Sequence, residues 1–162
     1  MHWVILVGAI VVVILAALTA TVVIKDEAAQ SVESTDDARA AALANTLAPS
    51  IGDPNAPVHI VECLDPACET CALFYPMVKQ WLNEVPDKLR LSVRHVPFHR
   101  GSEYAVKVLE ASRAQGKYWE TLEALLNSQR QWTQNHTVVP ERILPAIAGV
   151  GLNVDQLMAD ME

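Results

Sequence analysis

The feature that most constrains this chain is a cysteine pair, Cys68-Glu69-Thr70-Cys71, set where a strand-like run gives way to a helical pattern. Val58-His59-Ile60-Val61-Glu62-Cys63-Leu64 reads as a buried strand, and Asp65-Pro66 breaks it. Beyond the pair, Leu73, Phe74, Met77, Val78, Trp81 and Leu82 recur at three-to-four-residue spacing. That periodicity predicts a helix over 70–85 with one apolar stripe, and Pro76 within it predicts a kink. Cysteines two residues apart at a helix start can close a reversible disulfide. The first lies where unpaired N–H groups and the helix dipole favour a thiolate. The pattern therefore points to thiol–disulfide exchange.

Leu89 to Val96 predicts a second strand, with Leu91, Val93 and His95 on one face and Arg90, Ser92 and Arg94 on the other. A strand–helix–strand unit of this length is expected to be parallel with a right-handed crossover. After Gly101 the pattern turns helical: 102–114 with Ser102 as cap, 117–128, 140–148 and 154–161. Strands followed by helices indicate an α/β core, 51–100, carrying a helical subdomain, 101–162. Trp81, Trp119 and Trp132 are expected in the core, and Cys63 as a small buried apolar residue.

From Trp3 to Ile24 there is no charged residue. About 22 residues at about 1.5 Å each reach about 33 Å, enough to cross a hydrocarbon core. The apolar run is too long for a signal peptide, and cleavage near Ala20 would put Leu18 at a position that requires a small residue. An uncleaved transmembrane helix, 3–24, is expected. Residues 25–50, rich in Ala, Asp, Glu and Ser, read as an acidic stalk with a short helix from Asp36 to Leu47. The compact domain, 51–162, opens at Gly52-Asp53-Pro54-Asn55-Ala56-Pro57. Lys25, the one basic residue beside the segment, favours a C-terminal domain held inside. Disulfide chemistry favours the opposite side, and on that ground a single-pass inner-membrane protein with its domain in the periplasm or another extracytoplasmic space is expected.

A formal net charge of −7 argues against nucleic acid as a partner. With three cysteines, any internal disulfide leaves one thiol over, which excludes a small disulfide-stapled scaffold. A zinc site would need two further ligands, for which His95 and His99 are the candidates. The spacing Cys63-x4-Cys68-x2-Cys71 copies the start of a plant-type iron–sulfur run, but a fourth cysteine is lacking. Neither metal site is expected.

Taken together, the Gly52-to-Pro57 lead-in, a strand ending Glu62-Cys63-Leu64-Asp65-Pro66, the Cys-x-x-Cys helix start and the following helical region resemble the DsbA-like branch of the thioredoxin superfamily. The resemblance covers roughly 51–162, and Cys63 and Leu64 replace two usual aromatics. It implies a thioredoxin-like fold with an inserted helical subdomain. By the same resemblance, Cys68 is the exposed nucleophile, Cys71 the buried resolving cysteine, and Glu62 the buried acid that exchanges a proton with Cys71. The family closes its sheet with a strand entered through a cis-proline step. Val139-Pro140 has the right letters but opens a helix, so an incomplete sheet is expected. Asp65 and Glu69 are expected to raise the Cys68 pKa, giving a weaker oxidant nearer an isomerase or reductase poise. The function implied is a membrane-anchored protein disulfide oxidoreductase or isomerase. Its partners would be thiols and disulfides of unfolded or partly folded polypeptides, together with a recycling redox protein, and it would need no cofactor because the disulfide is the redox group. The alternative is a non-catalytic or truncated thioredoxin-like accessory or binding module.

Overall fold

The computed structural model describes residues 38–39, 41–42 and 47–162. The anchor expected at 3–24 and most of the stalk lie outside the described residues. Ala38, Arg39, Ala41 and Ala42 are helical, within the short helix expected there. Among the described residues no helix is long and apolar enough to cross a membrane.

The compact unit Thr46–Glu162 is built on a three-stranded sheet, β1 (Ser50–Gly52), β2 (Val58–Leu64) and β3 (Leu89–His95), in the order β1-β3-β2. β2 runs parallel to β3 in a register from Val58 opposite Leu89 to Leu64 opposite His95. They are joined by α1 (Glu69–Glu84), which continues through Pro76. β1, too short to show alternation, pairs antiparallel with β3 through Ile51 and Leu91. Its exit is fixed by Gly52, at φ +99°. A Cβ there would stand 2.4 Å from the Leu89 carbonyl oxygen, so no side chain fits. Gly52→Ala is expected to cost at least about 2 kcal/mol, left-handed strain and backbone clash together. An unchanged urea midpoint would contradict that fit.

The helical subdomain contains α2 (Ser102–Ala114), α3 (Tyr118–Asn127), α4 (Gln129–Trp132), α5 (Ile143–Ala146) and α6 (Val154–Asp160). Its core gathers Val108, Leu109, Leu122, Leu125, Trp132, Ile143 and Leu157, all fully buried. Trp132 also donates its indole N–H to the Leu125 carbonyl at 2.9 Å, so burial leaves no polar atom unpaired. A two-stranded hairpin, β4 (Thr133–Gln134) and β5 (Thr137–Val138), interrupts the helices. The helix expected over 140–148 is instead α5 between two 3-10 turns, Pro140–Arg142 and Ala148–Val150. Pro140, Pro145 and Gly149 cut that segment too finely for a continuous helix.

Three expectations about burial are corrected. Of the stripe on α1 only Val78 and Leu82 are buried, joined by Tyr75; Leu73, Phe74, Met77 and Trp81 are exposed. The stripe is wider than the sheet beneath it. β2 is the last strand among the described residues, so the half of α1 beyond its edge has nothing to pack on. There Phe74 and Trp81 meet edge to face at 6.1 Å, so Trp81 lies outside the core. Cys63 is exposed, because strand alternation puts it with His59 and Val61, opposite the core-facing Ile60, Glu62 and Leu64.

Candidate active site

The β2–α1 junction brings the three expected site residues together. Cys68 is the N-cap of α1, with extended backbone (φ −83°, ψ 119°), and its carbonyl accepts the first helical bond from Ala72 at 3.1 Å. Its thiol makes no capping bond and is partly exposed. Cys71 lies one turn on, also partly buried and also a free thiol. Burial, with contributions from the neighbouring Cys68 and the charge of Glu62, pushes the Cys71 thiol up to about 11, against a lowering hydrogen bond from the Asp65 backbone. Glu62 reaches the same place from β2. A cleft of about 320 Å³ along the edge of β2 that is unpaired among the described residues is lined by Glu62, Cys71, Cys63, Thr70, Phe74 and Val78. Burial raises the Glu62 pKa, and its Oε2 is buried with no hydrogen-bond partner. An acid inclined to hold a proton therefore shares a cleft with a thiol inclined to keep one.

Asp65, expected only as a charge beside the nucleophile, is the hub of the junction. Its Oδ1 accepts from the Ala67 amide at 2.8 Å, and its Oδ2 from the Phe98 and His99 amides at 2.8 and 2.9 Å and from His99 Nδ1 at 2.7 Å. Burial would raise its pKa. The nearby Ser102 hydroxyl, the Ala67 amide and both His99 donors outweigh this and hold the carboxyl below its usual range. The carboxylate thus pins the loop after β3 onto the start of α1. An Asp-Pro step at a strand end is the sequence signal for such a turn, since Asp accepts from the backbone two residues on. Glu69 is also engaged: its carboxylate meets His136 Nδ1 at 3.0 Å across the surface. Both flanking carboxylates thus have hydrogen-bond partners, which favour their charged forms on either side of Cys68.

The two histidines considered for zinc part company. His99 belongs to Asp65, whereas His95 Nε2 meets the Tyr118 hydroxyl at 3.0 Å and Glu110 Oε1 at 3.3 Å. Val139-Pro140 leads into a 3-10 turn, and no described peptide bond is cis.

An α/β core with a helical insertion and a cysteine pair at a strand–helix junction defines a thioredoxin-type domain. A thioredoxin family model matches residues 44–157, and the chain belongs to that family. It is 30% identical to a thioredoxin-like oxidoreductase from Silicibacter pomeroyi DSS-3, with a TM-score of 0.62 over 74% of this chain and 65% of that one. The α-DsbA2 thiol-disulfide exchange protein of Wolbachia pipientis shares the fold at 23% identity and TM-score 0.63, over 74% of this chain and 62% of its own. The chain thus spans less than two thirds of either structure. Over 111 residues, 68% of this chain, it is 29% identical to a Na(+)/H(+) antiporter NhaA of Herminiimonas arsenicoxydans, of which it spans 17%.

Proposed function

We propose that this chain is a membrane-anchored thiol–disulfide oxidoreductase acting on extracytoplasmic polypeptides through Cys68 and Cys71. The observation that carries the reading is the shared cleft of Glu62 and Cys71 behind a partly exposed Cys68. In the oxidising direction a substrate thiolate attacks Cys68 Sγ, a mixed disulfide forms, and the Cys68–Cys71 bond breaks. Cys71 leaves as a thiolate, which its burial disfavours, and protonated Glu62 supplies the proton. A second substrate thiolate then attacks the substrate sulfur of the mixed disulfide and expels Cys68. The substrate is oxidised by two electrons and the pair reduced. A separate redox protein must reoxidise it. In the reducing direction Glu62, as carboxylate, takes the Cys71 proton so that Cys71 can resolve the mixed disulfide. The apolar run 3–24 supports a single-pass anchor, and the chemistry supports an oxidising compartment for the domain.

A second reading is favoured by the β2 edge left unpaired among the described residues, the exposed Phe74–Trp81 face and the partial match to an antiporter: a thioredoxin-like accessory module attached to a larger assembly. One experiment separates the two. The full chain is equilibrated in glutathione buffers, alkylated and mapped by mass spectrometry. The oxidoreductase reading expects one two-electron transition joining Cys68 to Cys71, Cys63 staying free, at a potential more reducing than the about −120 mV of DsbA. A pair that never closes in a folded chain leaves the accessory reading standing.

A further inference from the structure

We propose that Glu69, His99 and His136 form a binding site for a divalent transition-metal ion of the Zn2+ kind, at the first turn of α1 beside Cys68. The three come from separate segments: the first turn of α1, the loop after β3 and the β4–β5 turn. One ligand atom from each lies within 4.8 Å of the others. A tetrahedral ion with bonds of about 2.0–2.2 Å needs ligand atoms about 3.4 Å apart, so small side-chain rotations close the set. The imidazoles of His99 and His136 already stack, their rings 5.8 Å apart and inclined by 23°.

The arrangement is held from behind. Asp65, its side chain fully buried, engages His99 Nδ1 and leaves Nε2 as the ring's free lone pair. A carboxylate behind a histidine in this way fixes the ring and strengthens it as a ligand. His136 is placed by the hairpin turn, where Asn135 and His136 both take left-handed backbone, φ 48° and 56°. Such turns ordinarily carry glycine at the second position, so histidine there is held at some cost. The hairpin is tied to the His99 loop through Val138 N–H to the Arg100 carbonyl at 3.0 Å. Gln129 ties α4 to the Glu69 side of the junction, donating to the Pro66 carbonyl at 2.9 Å. Two imidazoles and a carboxylate, with a position left open to water, suit a borderline divalent ion.

The site does not depend on the redox reading, and its test removes the thiols. The full chain with Cys63, Cys68 and Cys71 all replaced by serine is titrated with ZnCl2 by calorimetry, and Co2+ is used to report the ligand field by absorption. One saturable Zn2+ per chain is expected, weakened at least about tenfold by His136→Ala and by Glu69→Gln. Both side chains are well exposed, 68% and 49%, so neither change touches the core. Absence of saturable Zn2+ binding in the thiol-free chain overturns the proposal, as does unchanged affinity in either variant.

Discussion

Asp65→Ala is expected to cost about 3–5 kcal/mol, a large share of the about 5–15 kcal/mol that holds a domain folded. The loss comes from the donors left behind. Three backbone amides, Ala67, Phe98 and His99, and the His99 ring point at this carboxylate, which is 1% exposed, so water does not replace it. Asparagine rescues poorly, since its amide nitrogen would face donors at one of the two oxygens. Acid supplies a second signature. Hydrogen bonding holds the folded Asp65 pKa below its unfolded value of about 3.9, so its stabilisation is fully present above that pH. It is lost as pH falls through the folded value, where both states carry the proton. Urea unfolding at pH 7 and at pH 3 should therefore show the gap between the wild type and Asp65→Ala narrowing in acid. A loss under about 1 kcal/mol at pH 7 would mean that Asp65 does not hold the junction together.

The backbone of this site was legible in the sequence for a physical reason: local patterns determine local structure. Val58–Leu64, the Asp-Pro break and the helical stripe place Cys68 at a helix start whatever surrounds them. Strand parity was equally available, and it puts Glu62 inward with Ile60 and Leu64 and Cys63 outward. The expectation of a buried Cys63 set residue type above parity. What periodicity does not carry is the width of the surface an element packs on. Phe74, Met77 and Trp81 continue the α1 stripe, yet the described sheet ends at β2 before reaching them. Nor does it carry contacts between distant segments. Asp65 and the His99 loop are 34 residues apart, and His136 reaches Glu69 across 67. The hairpin that makes the second contact lacks the Asn-Gly signature, because histidine occupies the glycine position.

Glu62→Gln is expected to move stability and exchange in opposite directions, and that divergence separates a proton relay from a merely structural carboxyl. Burial raises the folded Glu62 pKa above its unfolded value of about 4.3. Below the unfolded value the acid is protonated in both states and costs nothing electrostatically. As pH rises through the folded value, keeping an unpartnered carboxylate in the cleft becomes progressively unfavourable. Glutamine keeps the shape without the charge, so the variant should be more stable than the wild type at pH 8 and near it at pH 4. Exchange should slow. With the Cys71 thiol at about 11, roughly one in 10⁴ is ionised at pH 7, and a neighbouring base is worth about 10²–10⁴ in rate. The single-turnover resolution of a Cys68 mixed disulfide should fall at least about 100-fold in Glu62→Gln at pH 7. The deficit should shrink as pH climbs toward 10, where hydroxide ionises Cys71 unaided. Were Glu62 only filling space, glutamine would leave the rate and its pH slope unchanged. Were it a structural anchor, stability and rate would fall together.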